Sequence, residues 1–142
     1  MTKGRVRVVR PKEGDVTYGA GDAYRQLAYG SHTDNCYYLM EATVPPGGGP
    51  PRHMQTREEE GFYVLEGEVE FEADGETIVA PAGTFLNVPK DVPHRFENKS
   101  GTDARMLILF APAGLEKFFA EASGKDGPEI GPIAARYGIK FV

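Results

Sequence analysis

The stretch Gly47 to Gly67, GGGPPRHMQTREEEGFYVLEG, decides the reading of this chain. Residues two apart in an extended strand point to the same face, so His53 and Gln55 share one. Glu60 can join them from the other arm of a bent strand pair, and three metal-capable side chains then converge. A fourth candidate, His94, lies in a second Gly/Pro-punctuated stretch, Gly83 to Asn98. Two of the three histidines fall in these two stretches, which marks them as a candidate metal site.

Working outward, residues 44–51 (VPPGGGPP) carry four prolines and three glycines and exclude helix and central strand. A phosphate cradle is a weak reading of GGG, because such a loop should open directly into a helix, whereas here it runs into Pro50, Pro51 and a strand. The stiff loop instead aims that strand. Beyond Gly61 short β-rich runs follow at close spacing: 62–65, 68–72, 77–80, 84–88, 94–97 and 105–110. Asp74-Gly75 suits a two-residue hairpin turn. Strand after turn after strand, with no helix between, predicts an antiparallel sandwich or small barrel.

Before the loop, Tyr24–Tyr29 and Cys36–Val44 read as strands, with Tyr38, Met40, Ala42 and Val44 facing inward and Glu41 and Thr43 facing water. The GSHTDN segment between them reads as a loop in which His32 is solvated. Lys3, Arg5 and Arg7 alternate with Gly4, Val6 and Val8, which predicts a charge-defended edge strand. Toward the C-terminus Leu115, Phe118, Phe119 and Ala122 recur at helical spacing, with Gly124 as terminator. A second helix is expected from Pro132 to just before Gly138, followed by an apolar tail, 139–142, that covers a barrel end or a partner subunit.

Composition narrows the function classes. With 142 residues the chain is the size of one domain. A single cysteine, Cys36, cannot form an intrachain disulfide, and the opening residues lack a secretion signal's apolar core, so a cytoplasmic protein is expected. No apolar run approaches the roughly 18 residues of a membrane span. A net charge of −5 argues against nucleic acid as a partner. The 18 glycines and 11 prolines favour many turns and short strands.

The pattern Gly47, His53, Gln55, Glu60, Gly67 resembles the first cupin motif with one substitution. Gly83, Pro89, Asp91, His94, Asn98 resembles the second, again with one. The resemblance is to small single-domain bacterial cupins of the quercetin 2,3-dioxygenase-like kind. It implies an all-β double-stranded β-helix, the cupin jelly-roll barrel, as one domain over 1–142 with a C-terminal helical extension over 114–138. It also implies a homodimer, one divalent metal inside the barrel, and His53, Glu60 and His94 as ligands. Gln55 stands where the family most often has a second histidine, and Asp91 where it has a turn glycine.

Two imidazoles and one carboxylate form a set suited to non-haem iron, with positions left for substrate. Gln55 can add its amide oxygen, which favours harder metals; Fe, Mn, Zn, Ni and Co are the candidates. The alternatives are that Gln55 is a spectator or that the site binds nothing. Glu60 is the candidate catalytic base. Glu58 and Glu59 read as solvated charge. Strand parity assigns Tyr38, Met40, Phe62, Val64, Phe96 and Asn98 to the lumen, an apolar pocket suited to a small aromatic or enolisable substrate. A dioxygenase-like enzyme is the leading reading. A non-redox isomerase, epimerase, cyclase or lyase, and a non-catalytic small-molecule-binding module, are the alternatives.

Overall fold

The computed structural model describes residues 4–142. The strands are β1 (Val16–Gly19), β2 (Asp22–Ala28), β3 (Tyr38–Val44), β4 (His53–Gln55), β5 (Glu59–Glu66), β6 (Glu68–Ala73), β7 (Glu76–Pro81), β8 (Phe85–Val88), β9 (His94–Glu97), β10 (Ala104–Ala111) and β11 (Ile139–Phe141). The helices are α1 (Gly30–Thr33), α2 (Glu116–Ala122) and α3 (Gly127–Arg136). One sheet runs β1-β2-β3-β10-β5-β8 and the other β11-β4-β9-β6-β7, with every pairing antiparallel. This is the jelly roll.

Alternation explains why the sheets stack. In β2, β3 and β10 every second residue is buried, so each strand turns one apolar face inward. Tyr38, Met40, Phe62, Phe71, Met106, Ile108 and Phe110 meet between the sheets, each no more than 2% exposed. Burial of each such side chain stabilises the fold by roughly 1.5–3 kcal/mol before entropy is counted. The expected hairpin forms: Asp74 and Gly75 both take positive φ between β6 and β7.

The glycine loop is tied to the end of the second motif. Gly47 N–H donates to Asn98 O at 2.8 Å, and Asn98 N–H donates to Gly48 O at 3.0 Å. Gly49, at φ +132°, runs so close to β9 that a Cβ there would lie 2.0 Å from Phe96 O. The chain can reach His53 by this path only because residue 49 has no side chain.

Several expectations fail. The N-terminal strand does not form: residues 4–10 pair with no strand, and Val6 and Val8 are 92% and 61% exposed. Alternation describes a face but supplies no partner; among the described residues Arg7 is tethered through Nε, which donates to Leu27 O. Lys3 lies outside the described residues. Part of the GSHTDN loop is the helical turn α1, while His32 is exposed. The last helix begins at Gly127, not Pro132, because Asp126 and Glu129 form a capping box that starts it earlier. The C-terminal tail is a strand: it pairs with β4 as β11, Ile139 opposite Gln55 and Phe141 opposite His53. Among the described residues no helix is long and apolar enough to cross a membrane.

Candidate metal centre and cavity

His53 and His94 are register partners on β4 and β9, which brings their ring centroids to 4.5 Å. Glu60 enters from β5 on the opposite sheet. One potential ligand atom from each of His53, Glu60 and His94 lies within 4.8 Å of the other two, and all three residues are buried. Each imidazole is oriented by its own main chain: His53 Nδ1 lies 2.9 Å from Pro51 O and His94 Nδ1 2.8 Å from Val92 O. A ring nitrogen facing a carbonyl must carry the proton, so each neutral ring keeps its lone pair on Nε2.

That tautomer makes the centre a test of its own occupant. His94 Nε2 lies 2.9 Å from Glu60 Oε1, so a lone pair faces a carboxylate unless a proton or a cation stands between them. Two imidazole nitrogens and one carboxylate, with both imidazoles held by backbone carbonyls, fit a divalent transition metal. Burial lowers the His53 pKa. At His94 burial also pulls downward, but the hydrogen bond and charge of Glu60 prevail and raise it.

Gln55 sits on the same face of β4 as His53, and its Nε2 donates to Glu60 Oε1 at 2.8 Å. In this orientation the amide holds the carboxylate from the side and offers the centre no lone pair. Its main-chain carbonyl accepts from Asp91 N–H, and Asp91 adopts φ +67° in the turn where the family has glycine. Glu58 is not solvated charge. It is 4% exposed, its Oε1 has no hydrogen-bond partner, and burial raises its pKa to about 7.

A cavity of about 460 Å³ opens from this centre, with His53, Gln55 and Glu60 in its wall. Of the predicted lumen residues, Met40 and Phe96 line it; Tyr38, Phe62, Val64 and Asn98 do not. Tyr38 is turned away by a hydrogen bond to Gln26 Oε1 and stacks on Phe110. Phe62 packs edge-on against Phe71 and Phe96, and Val64 is in the core. Asn98 spends its amide on Val44 O and Thr102 O and receives Ser100 on its oxygen, so it ties loops together. The wall comes instead from Tyr24, Ile108, Phe110 and the apolar stripe Leu115, Phe118, Phe119 and Ala122, with Ile130, Ile139 and Phe141. The helical stripe was visible in the sequence, but nothing local said that it roofs the cavity.

A family model for the cupin domain matches residues 40–110. Polyketide synthase CurC of Streptomyces cyaneus is 34% identical over 79% of this chain and 73% of its own length. Quercetin 2,3-dioxygenase of Bacillus subtilis is 29% identical over 79% of this chain, which spans about a third (33%) of that protein. Among solved structures, a predicted oxalate decarboxylase from Thermotoga maritima superposes with a TM-score of 0.70 at 23% identity, covering 75% of this chain and 99% of that one.

Proposed function

The chain belongs to the cupin family, and on that premise we propose that it is a metal-dependent enzyme acting on a small aromatic or enolisable organic substrate, with dioxygenase-like chemistry. One observation carries the reading: His53, Gln55 and Glu60 form a polar patch in the wall of a cavity lined mainly by aromatic and aliphatic side chains, with Lys125 and Asp126 the other charged residues in its wall. Such a wall favours a flat apolar body, and the patch fixes where its oxygen substituents go. His53, Glu60 and His94 would hold the metal, which when bound supplies Lewis-acid activation and, for a redox-active ion, electron transfer. Glu60 is the residue that takes a proton from the substrate's enol or hydroxyl group. Gln55 donates to its Oε1, the oxygen that faces His94, which leaves Oε2 for that contact. The cavity wall excludes water from the deprotonated product of that step.

A second reading keeps the same three ligands and gives the proton transfer to Glu60 alone. Its carboxylate can pass a proton from one substrate atom to another, which supports cyclisation or dehydration without oxygen. CurC, a polyketide synthase protein by name, is in keeping with that option. Oxygen consumption separates the two. The protein loaded in turn with Fe, Mn, Zn, Ni and Co is offered quercetin and an aromatic 1,3-diketone in an oxygen electrode, with product analysis in parallel under anaerobic conditions. Uptake stoichiometric with product supports the dioxygenase reading, and equal anaerobic turnover with zinc supports the second. No turnover with any loaded metal and either substrate contradicts both.

A further inference from the structure

At the wall of the same cavity lies a polar pair that core packing does not explain. On β2, Asp22 and Tyr24 point inward, and the Tyr24 hydroxyl donates to Asp22 Oδ2 at 3.0 Å. Asp22 is 2% exposed, its Oδ1 has no hydrogen-bond partner, and no ion pair reaches it among the described residues. The fold makes room for this carboxylate, since a Cβ at Gly48 would lie 2.5 Å from Oδ1. Burying a half-satisfied carboxylate is costly, and a phenylalanine with an apolar neighbour would fill the same space without that cost.

Tyr24 is also a wall of the cavity. It stands in register with Ala42, whose small side chain leaves room for the ring, and it packs edge-on against Phe119 at 5.2 Å. The ladders set Ala42 opposite Met106 and Met106 opposite Val64, four residues along β5 from Glu60. That offset is on the order of 13 Å along the backbone, measured between strand positions and not from the Tyr24 hydroxyl, which the charge of Glu60 still reaches. With its single proton given to Asp22, the phenol oxygen keeps its lone pairs as an acceptor.

We propose that Tyr24 is a substrate-recognition residue, accepting a hydrogen bond from a phenolic or enolic hydroxyl on the end of an aromatic ligand remote from His53, Glu60 and His94, and that Asp22 is its positioning residue. The inference rests on the proposed function only in taking this cavity as the substrate site; it requires neither bound metal nor turnover.

The test uses the full chain and three probes of similar size, naphthalene, 1-naphthol and 1-tetralone, with dissociation constants from ligand-observed NMR. The wild type is expected to bind 1-naphthol about three- to tenfold more tightly than naphthalene, the range of one net hydrogen bond. Tyr24→Phe should erase that preference while leaving naphthalene unchanged. Asp22→Asn turns the neighbouring group into a donor, which frees the Tyr24 proton for the ligand; preference should shift from 1-naphthol toward the acceptor 1-tetralone. A merely structural role for Asp22 would weaken all three probes alike. A naphthol preference that survives Tyr24→Phe, or a wild type that binds none of the probes, overturns the proposal. Because Tyr24→Phe keeps the ring, it decides the matter even if Asp22→Asn folds poorly. An absence of metal or turnover in the separate assays would count against the proposed function and leave this result standing.

Discussion

Replacing Asp22 with asparagine should make the protein more stable, and more so as the pH rises. Burial raises the Asp22 pKa from an ordinary 3.8 to about 7, against a smaller opposing pull from the Tyr24 hydrogen bond. The folded state therefore binds this proton more tightly than the unfolded chain does. The stabilisation is fully present below about pH 4 and is lost as the pH climbs through about 7. Each unit inside that window is worth about 1.4 kcal/mol, so between pH 5 and pH 8 the wild type should lose about 3 kcal/mol that Asp22→Asn keeps. Glu58, whose pKa is also raised to about 7, is present in both proteins and cancels in the difference. Asparagine keeps a hydrogen bond to Tyr24, with its amide N–H donating to the phenol oxygen, so the pair stays bonded. Urea unfolding of both proteins at half-unit steps from pH 4.5 to 8.5 gives the curve directly. A stability difference independent of pH, or one that favours the wild type at pH 8, would refute the burial of an ionisable Asp22.

Two further predictions follow from the loops and the second polar residue of β4. Gly49→Ala must cost about 3 kcal/mol or more, since φ is +132° and the new methyl would overlap Phe96 O, whereas Gly47→Ala, at φ +82° with open space around it, should cost about 1 kcal/mol; thermal unfolding compares the two. Gln55→Ala removes the amide that steers Glu60 and should weaken metal binding by roughly 10- to 100-fold, while Gln55→His should retain or strengthen it, as read by competition with a chromophoric chelator.

The strands were legible because a period of two is a local property, and the motif spacing carried the metal trio because a register pair and one facing strand suffice to assemble it. The N-terminal segment and the cavity wall needed information from elsewhere in the chain. Alternation in Arg5 to Val8 resembles a strand, but a strand requires a neighbour to pair with, and among the described residues this segment pairs with none. The cavity wall was misassigned because inward parity does not distinguish residues packed on other side chains, such as Phe62 and Val64, from those beside a void, such as Tyr24 and Phe110. Glu58 precedes β5, so strand parity does not place it, and its spacing of two from Glu60 is only a local hint of its burial. The start of α3 was available in Asp126 and Glu129, whose capping-box spacing outranks Pro132 as a helix signal.

The most direct test of the account is elemental analysis of protein produced without a metal-binding tag, alongside a His94→Ala variant confirmed as folded by circular dichroism. Close to one divalent transition metal per wild-type chain is expected, or the same stoichiometry after dialysis against Fe, Mn, Zn, Ni or Co, and loss of most of it from His94→Ala. A folded wild type that takes up none of these ions, or a His94→Ala protein that holds them equally well, would contradict a metal centre at His53, Glu60 and His94.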